Sequence, residues 1–131
     1  MIKPVTIAGQ LCAAFGDIER MAKLYADDVV WHLPRSVPMQ NPIGGKDAVI
    51  AFNREVWGTH YEADCEVDIL DEVGGSGVSA ARFTYRARMK ALQQAYENEY
   101  TIFVRSDDQG IHEIFEGFDT AHTISVARGG A

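Results

Sequence analysis

Residues 82–105 have the sequence RFTYRARMKALQQAYENEYTIFVR, and two runs of strict alternation within this stretch decide the class of fold. Successive side chains of a β-strand point to opposite faces of a sheet. The first run therefore separates an inward face from an outward one, with Phe83, Tyr85, Ala87 and Met89 opposite Arg82, Thr84, Arg86 and Arg88. In the second run the inward residues are Tyr96, Asn98, Tyr100, Ile102 and Val104. The pattern predicts two neighbouring strands that cover a core on one side. The outward Glu97 and Glu99 are expected to pair across the strands with the outward arginines.

Other strands flank this pair. A strand through Cys65, Val67 and Ile69 ends at the turn 74–77, and a last strand, 111–118, follows the turn 107–110. This last strand has His112, Ile114, Glu116 and Phe118 on one face. Further upstream, residues 29–33 form a short β-branched and aromatic segment that Pro34 ends.

Three helices are expected before the main run of strands. Their apolar residues recur at three- and four-residue spacing: Ala8, Leu11, Cys12 and Phe15; Ile18, Met21, Ala22 and Tyr25; and Val49, Phe52 and Val56. Asp17 is a candidate cap of the second helix, which should end before Asp27-Asp28. Helices followed by antiparallel strands indicate an α+β domain with the helices packed on one side of a sheet. We expect a single domain over residues 1–131, with a frayed tail from about residue 126.

Composition restricts the class of partner. The chain has 12 basic and 19 acidic residues and a net charge of −7, which repels nucleic acid and anionic lipid. It has no apolar run of the roughly 18 residues that a membrane span needs, and no signal peptide is evident at its start. A cytoplasmic protein that binds neither nucleic acid nor membrane is expected. Cys12 and Cys65 belong to no metal-binding motif, so neither a metal nor a cofactor is expected.

Four segments of the chain form a recognisable series: AFGDIERMAKLYADDVVWHLP (residues 14–34), GGKDAVIAF (44–52), NEYTIF (98–103) and IHEIFEGFDT (111–120). Together they resemble the SnoaL-like branch of the nuclear transport factor 2-like superfamily. The resemblance implies a cone-shaped fold, with three N-terminal helices on a curved, mainly antiparallel sheet and a pocket at the wide end. It also implies a homodimer formed through the outer face of the sheet, which an exposed stripe including Phe103 and Phe115 supports.

The residues of two catalytic branches of this superfamily do not match. Where ketosteroid isomerases carry a base Asp before a Pro, this chain has Leu33, and their oxyanion Tyr and protonated Asp fall near Gly9 and Ile102. Of the relay of limonene epoxide hydrolases, only one carboxylate, Glu116, is retained; the other positions fall near Phe83, Tyr85, Leu33 and Trp31. Polyketide cyclases need only a carboxylate among apolar walls, which this chain has.

Glu116 is accordingly the candidate general acid/base, because an apolar environment should raise its pKa toward neutrality. Tyr85, Asn98 and Tyr100 are the candidate donors to a developing oxyanion. The expected ligand wall comprises Trp31, Leu33, Phe52, Phe83, Ile102, Ile114 and Phe118. The favoured function is a cyclisation, isomerisation or dehydration of a small apolar carbonyl compound. The alternatives are a non-catalytic binding module for an apolar metabolite or lipid, in which Glu116 is structural, and a dimerisation domain with a vestigial cavity.

Overall fold

A computed structural model describes residues 4–130 as one curved sheet with helices packed against it. The strands are β1 (Tyr25–His32), β2 (Ile43–Gly44), β3 (Glu66–Gly74), β4 (Val78–Met89), β5 (Gln94–Asp107) and β6 (Gly110–Phe118). The helices are α1 (Ile7–Ala13), α2 (Ile18–Ala22), α3 (Lys46–Glu55) and α4 (Thr120–Ala127), and a π-helical turn at Val56–His60 continues α3. No helix in this part of the chain is long and apolar enough to cross a membrane.

The sheet has the strand order β2-β1-β6-β5-β4-β3. Its pairs are antiparallel except for β1 and β6, which run parallel. The alternation in residues 82–105 is confirmed, because β4 and β5 pair from Val78 opposite Arg105 to Met89 opposite Gln94. Their inward side chains are buried, including Phe83, Tyr85, Tyr100, Ile102 and Val104. The α+β class and the mainly antiparallel sheet are therefore confirmed.

The second helix is shorter than its apolar spacing predicts. Asp17 caps it by accepting from the Arg20 backbone N–H, as expected, but the helix ends at Ala22 and Tyr25 begins β1. The backbone N–H of Ile111 donates to the Leu24 carbonyl at 2.8 Å, which draws this segment into the sheet. Asp27 and Asp28 consequently lie within a strand and not after a helix.

The C-terminal segment also differs from its prediction. Residues 120–127 form α4, which Asp119 caps through the His122 backbone N–H at 3.1 Å, and Val126 is buried. Residues 126 and 127 therefore belong to a packed helix and are not frayed, while residue 131 lies outside the described residues. The apolar residues of this short segment are not confined to one face of the helix, so its periodicity gives little indication of a helix.

A bulge near the start of β6 changes which side chains share a face. The pairing with β5 shifts between Arg105 and Ser106, so that Ile111 and Ile114 are both buried although they are three residues apart. His112 is turned away from the face of Glu116. Its ring nitrogens contact Asp107 at 2.8 Å and Asp28 at 2.5 Å, and these carboxylates raise the pKa of His112. The expectation that His112 and Glu116 share a face is wrong.

Candidate active site

A cavity of about 450 Å³ lies between the inner face of the sheet, α3, the π-helical turn and α4. Its wall is mainly apolar and rich in aromatic side chains: Phe15, Trp31, Phe52, Trp57, Tyr61, Tyr85, Tyr100 and Phe118. Other parts of the boundary are formed by residues 37–39, by Leu92 and by Ile124 of α4. Size and composition are those of a small-molecule site.

Glu116 is the acidic group that reaches this cavity from the sheet. It lies on β6 opposite Ile102, and its Oε1 accepts a hydrogen bond from Trp31 Nε1 at 3.2 Å. Protein surrounds the carboxyl group, although part of the side chain faces the open volume of the cavity. Burial raises the pKa of Glu116 to about 7, and the Trp31 hydrogen bond offsets only part of this effect. Both protonation states are therefore accessible near neutral pH.

Several hydroxyl groups lie on the wall formed by β5, α4 and the segment after the π-helical turn. The Tyr96 hydroxyl is 2.7 Å from that of Tyr100 and 2.6 Å from Thr123 Oγ1. Tyr61 stacks on Tyr96 with ring centroids 5.5 Å apart, and Tyr61 and Tyr100 both line the cavity. Burial raises the pKa of both tyrosines well above the usual value, and the nearby Glu116 raises it further. These phenols stay protonated and can donate hydrogen bonds.

Of the two other candidate donors, Tyr85 lines the cavity and Asn98 does not. The Tyr85 hydroxyl lies in the cavity wall and accepts from Trp57 Nε1 at 2.8 Å. The Asn98 amide instead donates to the Asp119 carbonyl at 2.9 Å, to Tyr96 and to Thr123. Asn98 therefore ties β5 to α4 and does not line the cavity, which corrects its expected place among the oxyanion donors.

The structure brings together seven of the residues that the sequence assigns to a site. The cavity is lined by Glu116, Tyr85, Tyr100, Trp31, Leu33, Phe52 and Phe118. Phe83, Ile102 and Ile114 do not, because they are fully buried in the layer of core between the sheet and the helices. Alternation correctly places them on the inward face, where they belong to the buried core cluster, and α1 packs against β4 and β5.

Sequence reasoning missed part of the wall. Trp57 and Tyr61 lie beyond the apolar positions that predict the third helix, and Thr123 and Ile124 belong to α4, which the sequence analysis does not predict. The Gly58 that follows Trp57 is the one local signal of irregular backbone at this point.

Charged groups are few in the wall. Glu55, His60 and Glu116 line the cavity, whereas no lysine or arginine between residues 4 and 130 is among the lining residues. Over residues 4–130 no three His, Cys, Asp or Glu side chains gather as a metal site. The arrangement can exchange a proton with a bound molecule through one carboxyl group, beside phenol donors and in an apolar surrounding.

Comparison with known families identifies the class of protein. The model of the SnoaL-like domain matches residues 11–114, which is most of the chain. The chain therefore belongs to the SnoaL-like domain family. A search of curated proteins finds no match.

Solved structures with the same fold cover nearly the whole chain. A nuclear transport factor 2-like protein of unknown function from Burkholderia pseudomallei is 22% identical, with a TM-score of 0.76 over 90% of this chain and 92% of that one. A protein with a ketosteroid isomerase-like fold from Catenulispora acidiphila, in complex with trimethylamine, is 11% identical, with a TM-score of 0.79 over 98% and 96%. A candidate polyketide cyclase from Xanthomonas campestris is 18% identical, with a TM-score of 0.74 over 90% and 91%. At these identities the likeness establishes the fold.

Proposed function

We propose that this protein is a SnoaL-like enzyme that transfers protons on a small apolar carbonyl compound, as a cyclase, isomerase or dehydratase does, with Glu116 as the general acid/base. The observation that carries the proposal is the carboxyl group of Glu116. It is enclosed in an aromatic wall, has a pKa of about 7, and faces an open cavity. General acid/base groups work best when their pKa lies near the working pH.

The proton transfer follows from this placement. Ionised Glu116 removes a proton from the carbon next to the carbonyl group, and the electron pair moves into the enolate, which places negative charge on the carbonyl oxygen. A hydroxyl of Tyr61 or Tyr100 donates a hydrogen bond to that oxygen, and such donors act strongly in an apolar site. Protonated Glu116 then returns the proton to the same or another carbon. Trp31 Nε1 holds the carboxyl group in position throughout.

The decisive experiment measures proton abstraction itself, so that the final product need not be known. Apolar ketones are first screened by tryptophan fluorescence, since both tryptophans of the chain, Trp31 and Trp57, line the cavity. Each ligand found is then incubated with protein in deuterated water, and deuterium incorporation next to the carbonyl is followed by mass spectrometry. We expect the wild type to accelerate incorporation and Glu116→Gln to lower the rate by about 10²–10⁴-fold.

The matched control is Glu113→Gln, on the same strand but exposed on the other side of the sheet, beside His32 and Arg105. This variant should exchange at the wild-type rate. Undiminished exchange in Glu116→Gln would refute the assignment of Glu116.

A non-catalytic binding module for an apolar metabolite or lipid is the second candidate. The observation in its favour is that the wall is mainly apolar, with one buried carboxyl group, a few hydroxyls, and Glu55 and His60 at its solvent-facing part. Ligands that quench the tryptophans but show no exchange above the uncatalysed rate would support it over the enzyme. In either case we propose that the chain forms a homodimer through the outer face of the sheet, as its family resemblance implies.

A further inference from the structure

The π-helical turn Val56–His60 is anchored at the edge of the cavity. The Tyr61 backbone N–H donates to the Val56 carbonyl at 2.8 Å, which closes the wide turn. The Lys90 backbone N–H donates to the His60 carbonyl at 2.9 Å, and Lys90 Nζ donates to the Gly58 carbonyl at 2.8 Å. The turn is therefore tied to the end of β4. Single π-helical turns within helices occur frequently at functional sites.

This turn brings polar side chains to the outer part of the wall. Thr59 and His60 come from the turn and Glu55 from the end of α3, and all three line the cavity. His60 Nε2 lies 3.7 Å from Glu55 Oε1, and these side chains are 49% and 55% exposed. Glu116, in contrast, is enclosed by protein. Aromatic side chains separate these polar groups. Trp31 donates to Glu116, its ring packs on Phe52 with centroids 5.6 Å apart, and Phe52 lies one helical turn before Glu55 on α3. The cavity thus has a buried polar end at Glu116 and a solvent-facing polar end at Glu55 and His60.

The charges of the wall restrict what these two ends can hold. Glu55 and Glu116 are acidic, and no lysine or arginine of the described part of the chain lines the cavity. The net charge of the chain is −7. A carboxylate or phosphate group on the ligand would meet repulsion at both ends. A hydroxyl group suits the outer end best, because it can donate to the Glu55 carboxylate and accept from His60 or Thr59.

We propose that Glu55, Thr59 and His60 form a second polar subsite, the rim subsite, which binds a hydroxyl group at the end of the ligand opposite to its carbonyl. The ligand is then an elongated ring compound without an anionic group and with an oxygen at each end. The assignment of the carbonyl to the Glu116 end rests on the proposed function, whereas the rim subsite rests on the geometry of the turn.

Matched ketones test this subsite. The probes are β-tetralone and its derivative with a hydroxyl on the ring distant from the ketone, together with the corresponding three-ring pair, so that two lengths are covered. Affinities are measured by quenching of Trp31 and Trp57. In the wild type we expect the hydroxylated member of at least one pair to bind about tenfold more tightly than the other, the gain of one well-made hydrogen bond.

Variants locate the effect at the rim. In Glu55→Ala and His60→Ala the preference for the hydroxylated ketone should fall to about twofold or less, while the affinity for the other ketone changes little. Glu62→Ala, close in the chain but outside the cavity lining, should keep the tenfold preference. Equal wild-type affinity within both pairs, or an equal loss for both members in the rim variants, would overturn the rim subsite. Failure of all four ketones to bind would overturn it as well.

The deuterium experiment separates this inference from the proposed function. If the hydroxyl preference depends on Glu55 and His60 while no ketone undergoes Glu116-dependent exchange, the subsite stands and the enzyme does not. If exchange depends on Glu116 but the ketones show no hydroxyl preference, the enzyme proposal stands and the rim subsite does not.

Discussion

Carboxylates on the two faces of the sheet have opposite environments. On the outer face Arg82 contacts Asp71 and Glu99, each at 2.7 Å, and Arg86 contacts Asp68 and Glu97. The contacts of Glu97 and Glu99 are the cross-strand pairs expected from the outward residues of β4 and β5, whereas those of Asp68 and Asp71 come from β3. On the inner face Glu116 accepts a hydrogen bond from Trp31 and, among residues 4–130, contacts no cation.

The two environments affect the stability of the fold differently. Exposed ion pairs contribute little to stability because water and salt screen them. Glu116 is instead buried with only a hydrogen bond from Trp31 to offset the loss of hydration. Its ionised form therefore disfavours the folded state. A residue that destabilises the fold in this way, and faces a cavity, is typical of a functional site.

The largest stability effect should come from the apolar core behind the inner face. Leu11 of α1 is fully buried, whereas Leu70 on the edge strand β3 is 45% exposed. Leu11→Ala should lower the free energy of unfolding by about 2–5 kcal/mol, because it removes buried methyl groups and leaves a cavity. Leu70→Ala, the same chemical change at the surface, should cost less than about 1 kcal/mol. Urea unfolding measures both; similar costs would contradict the burial described for these two residues.

A somewhat smaller effect should appear in the pH dependence of stability. The pKa of Glu116 rises from 4.5 to about 7 on folding, so its folded form prefers to be protonated. This contribution to stability is complete below pH 4.5, declines as the pH rises to about 7, and is constant above. Its total is about 3 kcal/mol.

The Glu116→Gln variant cannot ionise and should lack this decline. The difference in unfolding free energy between the variant and the wild type should therefore change by about 3 kcal/mol in favour of the variant between pH 4.5 and pH 7. The outer-face variant Glu97→Gln, which loses a contact with Arg86, should keep the wild-type pH profile. Parallel profiles for Glu116→Gln and the wild type would show that the carboxyl group is not buried as described.

The smallest effect on the fold is expected at Phe115, on the outer face. Its ring is 37% exposed and stacks on His32 with centroids 4.3 Å apart, close to the half-buried Phe103. If this face forms the proposed homodimer, Phe115→Glu should shift the molecular mass measured by light scattering from dimer to monomer, because a charge would be buried at the contact. The circular dichroism spectrum should remain that of the wild type. A monomeric wild type, or a variant that remains a dimer, would contradict the proposed interface.

Particular residues show how far the sequence could be interpreted without the structure. The alternation in β4 and β5 was predicted correctly because each strand has one buried face, which restricts the residue type at every second position. The π-helical turn, α4 and the β6 bulge were missed, because their conformation depends on contacts with distant segments. Tyr61, for example, pairs with Met89, and His112 contacts Asp28 and Asp107.

The sequence by itself determined the α+β class, the inward faces of the long strands and the presence of an acidic residue, Glu116, on an inward face of β6. These features follow from local periodicity, which the pleat of a strand and the pitch of a helix impose on neighbouring residues. Only the tertiary structure decided which inward residues line a cavity and which are fully buried in the core. It also decided that Tyr61, Thr123 and His60 join the wall, because the cavity is the space left between elements that are far apart in the chain.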